Sequence, residues 1–394
     1  VKLPKGFLAS GVRAGIRKRR PDVALILAGK GADAAAIFTK NRVQAAPVIL
    51  SRRGLSKSGG RVRAVVVNSG CANAATGAAG LAAARRVRSR AAELVGCPPE
   101  EIFVASTGVI GVTLPDGKIR AALPDALRRL STSGLSAAAH AILTTDVGPK
   151  VATAFFRVGG RRGRIVGVAK GAGMIHPDMA TMLAFLMTDA AATPAFLKRA
   201  LLAAADSSFH AISVDGDTST NDTVLLLASG SLRNAPLDGG GGDGEDFARA
   251  LTEVCRRLAW MMVRDGEGAT RVMEITITGA RSRREAALAA HAVATSPLVK
   301  TALHGGDPNW GRILAAVGRS GARFSERKVT LAVGRLTLVS KGTIAAYREA
   351  DAARLFSKER VPVTVDLGAG SATATKLSCD LGHDYVSVNA DYRS

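Results

Sequence analysis

Aromatic side chains are scarce, at 4% of 394 residues with two tryptophans and three tyrosines. Proteins that stack nucleic-acid bases need such rings interleaved with basic residues, so their scarcity argues against that role. Cysteine is scarcer still. Cys71, Cys97, Cys255 and Cys379 stand far apart without a CxxC pair, which excludes a zinc ribbon and supplies no disulfide framework; a reducing, cytoplasmic setting is expected. No run approaches the roughly 18 consecutive apolar residues of a membrane span. Residues 1–20 hold seven Lys/Arg and no acid, and they lack the apolar core of a secretory signal.

Acids are outnumbered too, 32 Asp and Glu against 54 Lys and Arg, for a formal charge of +22. A field of that size attracts polyanions, and Arg161, Arg162 and Arg164 form a second basic cluster in an arginine-rich hairpin pattern, VGGRRGRIVG. Yet no helix-turn-helix, RRM, KH or zinc-finger spacing accompanies these charges. A solvated basic surface is expected, with nucleic acid not the main partner.

What is present is small and apolar: 47% hydrophobic residues and 43 glycines, the composition of an Ala/Val/Leu/Gly-built globular protein. Strand and helix patterns alternate. DVALILAG and AAAIFTKNRVQAAPVIL read as strand-like material, RVRAVVVNSG (61–70) as a buried strand, GLAAARRVRSRAAELVG as a helix stopped by Gly96, and EIFVASTGVIG as a strand running into a glycine turn. Further on, FARALTEVCRRLAWMM (247–262) places Phe247, Leu251, Val254, Leu258 and Met261 on one helical face. VMEITITGA alternates as a strand, and KVTLAVGRLTLVS, VPVTVDLGAG, SATATKLSCDL and DYVSVN read as a closing series of short strands. Between them RNAPLDGGGGDGED (233–246) has the composition of a linker. An α/β layering follows.

One stretch raises a chemical question. In KGAGMIHPDMATMLAFLMTDA (170–190) a glycine turn runs into Ala180-Thr181 and then into an unbroken apolar segment. A threonine hydroxyl is a poor nucleophile without a base, and no His-Asp pair is evident beside it. If the backbone breaks before Thr181, the new α-amine, titrating near about 8 against about 10.4 for lysine, supplies that base on the same residue. Gly171 and Gly173 would let the chain bend so that Thr181 Oγ attacks the Ala180 carbonyl. Local physics leaves a second reading open, in which MATMLAFLM is a core strand that happens to begin with threonine.

Other segments bear on the choice. LPKGFLASGVRAGIRKRRPDVALI, NSGCANAATG, ASTGVIG, ILTTDVGPK, KGAGMIHPDMAT, SVDGDTSTNDT, SPLVKTALHGGDPNWGRI, CDL and VNADYRS together resemble the glutamate/ornithine N-acetyltransferase family of arginine biosynthesis, across nearly the whole chain. That resemblance implies self-cleavage between Ala180 and Thr181, with Thr181 the nucleophile of both cleavage and acyl transfer and Thr107 and Gly108 the oxyanion-hole pair. It implies substrate contacts from Thr144 (or Thr145), Lys170, Thr181, Glu267, Asn389 and Ser394, types that suit an amino-acid ligand whose carboxylate wants Lys and hydroxyl donors and whose ammonium wants Glu. The implied reaction moves the acetyl group of N2-acetyl-L-ornithine to L-glutamate, with no metal and no cofactor beyond acetyl-CoA as a possible co-substrate.

The implied fold is a layered α/β sandwich with a smaller C-terminal α/β unit at about residues 281–394, self-cleaved into two intertwined chains, 1–180 (alpha) and 181–394 (beta). Two of each would form a heterotetramer. An N-terminal-nucleophile amidase or aminopeptidase is the competing enzyme class; it would pass the acyl group to water. Asp215, Asp217 and Asp222 loosely suggest a calcium loop, but the bidentate Glu is missing, so SVDGDTSTNDT is expected to be a hydrogen-bonded turn near the active site. GGDPNWGR lacks the Walker lysine pattern and is expected to be a loop beside the pocket.

Overall fold

The computed structural model describes residues 1–176 and 182–391, so that Ala180, Thr181 and Ser394 lie outside the described residues. The chain divides into two compact units: Val1–His210 with Asp217–Met262, and Ala211–Gly216 with residues 263 to 391. Both are α/β.

The first unit is built on eight strands: β1 (Phe7–Val12), β2 (Val23–Phe38), β3 (Arg61–Cys71), β4 (Ile102–Val109), β5 (Lys150–Val158), β6 (Arg161–Lys170), β7 (Leu183–Thr188) and, after β8 (Ile212–Ser213) of the second sheet, β9 (Thr223–Ala228). Their order is β4-β3-β2-β9-β7-β6-β5, with β1 beside β2. Pairing is parallel for β3–β4 and β7–β9 and antiparallel elsewhere. Side chains alternate across a strand, and here both sets are apolar. Val23, Leu25, Ala64, Val66, Ile102 and Val104 cluster with α1 (Ala46–Lys57), α2 (Gly77–Val95) and α3 (Asp116–Arg128). Their neighbours Ala24, Ile26, Val65, Val67, Phe103 and Ala105 join the core that holds α4 (Leu135–Ala141). Continuous apolar runs such as RVRAVVV are what a sheet covered on both faces requires.

Local signals place several boundaries. Gly96 closes α2 at φ 70°, and Gly159 and Gly160, at φ 53° and 72°, give the paired positive φ of a type I′ turn between β5 and β6. Helix α5 (Pro194–Asp206) starts with Pro194 behind Thr193, whose hydroxyl accepts from Phe196 N–H at 3.2 Å. Three expectations are corrected. The end of AAAIFTKNRVQAAPVIL is helical: Pro47 opens α1, where its fixed φ and missing N–H suit the first turn. The linker-like stretch is shorter than its composition suggests, because α6 (Gly242–Arg264) begins inside it with Asp243 and Glu245 in its first turn. Those acids favour a helix N-terminus, and Asp243 and Asp246 also accept from the Gly159 and Arg157 N–H groups. Along α6 the buried face takes in Met262, four residues after Leu258, rather than Met261, which is half-buried.

In the second unit β10 (Val272–Ala280), β11 (Thr330–Val333), β12 (Leu336–Ser340), β13 (Thr343–Ile344), β14 (Arg360–Asp366) and β15 (Ala372–Cys379) join β8 in the order β13-β12-β11-β14-β10-β15-β8. One sheet face packs on α7 (Arg283–Ala294), α8 (Pro297–Gly305), α9 (Trp310–Gly318) and α10 (Glu349–Phe356) through Ile275, Ile277, Val361, Val363, Val365 and their neighbours. The alternate residues are polar: Arg360 pairs with Glu274, and Thr276 Oγ1 lies 3.0 Å from Thr375 Oγ1. GGDPNWGR forms the α8–α9 connection, where Asn309 caps α9 by accepting from Arg312 N–H. DYVSVN is not a strand. It lies in α11 (His383–Asp391), where Val386 is exposed; its alternation of valines therefore does not record burial.

Candidate active site

Strand β6 ends on Lys170, and its ammonium is the hub of the first unit's polar interior. Nζ donates to Thr144 Oγ1 at 2.7 Å and to Thr107 Oγ1 at 3.4 Å, and lies 3.7 Å from Asp146 Oδ2. Lys150 Nζ donates to Asp146 Oδ1 at 2.7 Å, and the backbone N–H groups of Gly171 and Thr144 bond the two carboxylate oxygens at 2.6 and 3.0 Å. Lys150, Lys170 and Asp146 are each no more than 3% exposed. Burial pushes the Asp146 carboxyl up, but the ammonium groups of Lys170 and Lys150 and these hydrogen bonds outweigh it and hold the carboxyl well below its usual range.

The oxyanion pair proposed from sequence sits where β3 and β4 end. Gly108 has φ +127°, and a Cβ there would stand 2.4 Å from the carbonyl carbon of Gly70, so only glycine fits. Ser106 Oγ donates to Asn68 Oδ1 at 2.6 Å, and Asn68 Nδ2 donates to the Cys71 carbonyl at 2.9 Å, fixing the strand ends before Thr107. Arg17 donates to the carbonyls of Leu143 and Thr144. Part of the basic N-terminal cluster thus braces the loop that presents Thr144.

SVDGDTSTNDT is a hydrogen-bonded turn, as expected. The Asn221 amide donates to the carbonyls of Ala72 and Ser106 at 2.7 and 2.8 Å, and Asp222 Oδ1 accepts from Met182 N–H at 2.9 Å. Among the described residues no cluster of three or more metal-ligating side chains occurs.

Within the second unit, Asn389 Nδ2 donates to Glu267 Oε2 at 2.8 Å and to Tyr385 O at 3.0 Å. Gly268, at φ +70°, lets α11 approach: a Cβ on it would lie 2.7 Å from Tyr385 N. The Glu267 loop is anchored by Asp380, which accepts from Thr270 N–H, Thr270 Oγ1 and Arg271 N–H, each at 2.8 Å, and meets His304 Nδ1 at 2.8 Å. Burial raises the Asp380 carboxyl, and the Arg271 N–H, His304 and Thr270 bonds more than reverse it.

The sequence matches the ArgJ family over residues 8–394. The chain belongs to the ArgJ family. Among relatives, it is 46% identical over 391 residues to the arginine biosynthesis bifunctional protein ArgJ of Chlorobaculum tepidum, covering 99% of this chain and 96% of that protein. It is 47% identical to the protein of the same name from Geobacter sulfurreducens over 392 residues, with 99% of each covered. The crystal structure of the arginine biosynthesis bifunctional protein argJ from Bacillus halodurans superposes with a TM-score of 0.52 at 39% identity, covering 53% of this chain and 98% of that one. Membership in the ArgJ family makes this chain an acyltransferase of arginine biosynthesis.

Among the ArgJ-family residues named from sequence, Thr107, Gly108, Thr144 and Lys170 meet in the first unit, and Glu267 and Asn389 pair in the second. Asp146, Lys150 and Asn221 escaped the sequence reading. A faint signal existed for the first two in TTDVGPK, where acid and lysine stand four apart; for Asn221 the turn SVDGDTSTNDT was the signal, though not for its partner Ser106, 115 residues away.

Proposed function

We propose that the chain cuts itself between Ala180 and Thr181 and then moves an acetyl group from N2-acetyl-L-ornithine to L-glutamate in two half-reactions. The Thr181 hydroxyl attacks the acetyl carbonyl while the freed α-amine takes its proton. Negative charge gathering on the carbonyl oxygen is met by Thr107 and Gly108, and donors placed beforehand at such an oxygen lower the barrier by a few kcal/mol each. Ornithine leaves with the proton that the amine returns. The acetyl-threonine ester is then attacked by the amine of glutamate, and the same α-amine shuttles the proton. Acetyl-CoA is the second acetyl donor in this reading, and two alpha and two beta chains form the assembly.

The observation that carries the reading is Lys170. A buried ammonium bonded at once to Thr144 and to the oxyanion-pair residue Thr107 stands in the KGAGMIHPDMAT segment of an ArgJ-family chain. It provides positive charge where an amino-acid carboxylate or an oxyanion would rest in this reading.

Intact mass of the purified protein under denaturing conditions tests the first step. Two chains are expected, the second beginning Thr-Met-Leu-Ala-Phe; an uncut chain that still transfers acetyl would overturn the terminal-amine mechanism. Thr181→Ala is expected to stay one chain and lose transfer. Acetate release that does not depend on glutamate would move the assignment to an amidase.

A further inference from the structure

The turn between β8 and β9 holds two adjacent buried side chains whose bonds reach opposite parts of the acyl-transfer machinery. Asn221 is 5% exposed and Asp222 1%. Both hydrogens of the Asn221 amide are used, on Ala72 O at the end of β3 and on Ser106 O just before Thr107, while its Oδ1 accepts from Thr220 Oγ1 at 2.5 Å. The next residue turns the other way. Asp222 Oδ1 takes the N–H of Met182, the residue joined by one peptide bond to Thr181, and Thr223 N–H donates to Met182 O at 3.0 Å. The segment is itself held in place: Thr39 Oγ1 donates to Ser219 O at 2.7 Å, Thr39 N–H to Asp222 O at 2.9 Å, and Ala45 N–H to Thr220 O at 3.0 Å.

We infer that Asn221 and Asp222 are positioning residues that set the spacing between the oxyanion pair and the nucleophile strand. The inference rests on the proposed role of Thr181. Oxyanion donors act only when fixed beforehand at the right distance from the reacting carbon, and a displacement of about 1 Å between catalytic groups lowers rates on the order of a hundredfold. A two-residue bracket bonded at both ends is a short route by which that distance can be held. Burial drives the Asp222 carboxyl well above the usual range, more strongly than Met182 N–H, the Lys170 charge and the Ser219 and Thr39 bonds lower it. Its Oδ2 is buried without a well-oriented hydrogen-bond partner.

The test compares Asn221→Ala, Asp222→Ala and Asp222→Asn with Ser10→Ala, a control that removes a buried bond to Ala126 O in the same unit. Each protein is assayed for the extent of Ala180–Thr181 cleavage, for kcat and KM with both substrates, and for Tm. Asn221→Ala and Asp222→Ala are expected to mature poorly and, once cut, to lose kcat by roughly 30- to 100-fold with KM changed less than about threefold. Asp222→Asn keeps an acceptor for Met182 N–H and is expected within about threefold of the native kcat, with the same pH profile of kcat/KM. Ser10→Ala lowers Tm alone. Losses of Tm without loss of kcat in the alanine variants would overturn the inference, as would an Asp222→Asn enzyme as poor as Asp222→Ala. Should the alanine variants not fold, the pH profile decides: a shift between native and Asp222→Asn means that the charge of Asp222 is used. Failure of the underlying reading is distinct, because the native protein itself would then be uncut or inactive.

Discussion

Two ammonium groups sealed from water are stable only if an anion lies against them, and Asp146 serves Lys150 and Lys170 together. The Lys170 ammonium also reaches Thr144 and Thr107, which suits a site where an anionic oxygen must arrive. Asp146→Asn leaves two buried cations without that partner, and removing one side of a buried pair costs about 3–5 kcal/mol; a large fall in Tm is the expected result. Lys170→Met keeps the Asp146–Lys150 pair but removes the donor to Thr144 and Thr107, so kcat/KM is expected to fall by roughly 10²–10³, read by steady-state kinetics on cleaved protein. The acids also set opposite pH trends. Asp146 is held below its ordinary range, so its contribution to stability is complete above a pH of about 4 and is lost as pH falls toward the folded value. Asp222 is raised, so its contribution is complete below about 4 and is lost as pH rises toward the folded value. The Tm of Asp222→Asn relative to the native protein is therefore expected to climb between pH 4 and 7; a flat difference would show that Asp222 is ionised in the folded protein.

At the scale of elements, strand ends do the positioning. β3 and β4 run parallel so that Ser69 and Gly70 meet Thr107 and Gly108, and the close approach leaves no room for a side chain at Gly108. Gly108→Ala must push Gly70 and Cys71 aside, and loss of transfer by at least about a hundredfold is expected, measured beside the mass of the cleaved chains to separate failed maturation from failed turnover. Gly268→Ala would drive α11 off the Glu267 loop; KM is expected to rise with kcat nearly kept, the pattern of lost ground-state binding. These elements differ in how much of them sequence discloses. β3, β4 and α2 are legible because apolar period and glycine stops are local properties, and ASTGVIG shows its turn directly. α11 is not, since the valines of DYVSVN alternate like a strand although Val386 is exposed and Val388 only half-buried. Nor is the bracket at Asn221, whose meaning lies in a partner brought near only by folding. The family resemblance supplied Lys170 and Thr107; the Lys170 neighbour Asp146 needed the structure.

For the whole molecule the open question is the charge of +22. Some of it is used internally: Arg17 holds the 143–144 carbonyls, Arg61 bonds Lys30 O and Arg63 bonds Gly29 O. The arginine-rich β5–β6 hairpin carries the exposed Phe155, but Arg162 already covers that ring at 3.9 Å and Arg164 lies 5.1 Å from it. A cleft of about 440 Å³ beside it is lined by Phe155, Phe156, Arg157, Arg162 and Asp246, and the carboxylate of Asp246 opposes a phosphate there. A basic surface of this kind attracts polyanions through the field alone. Single-stranded RNA is therefore expected to bind weakly in fluorescence anisotropy at about 50 mM salt and to be lost by about 200 mM, the range over which phosphate-only contacts fade. Acetyl transfer should be unaffected by the RNA at the higher salt. Binding that persists there with a sequence preference would show that base contacts exist on this surface, and that the charge serves a nucleic acid as well as the solubility of an enzyme.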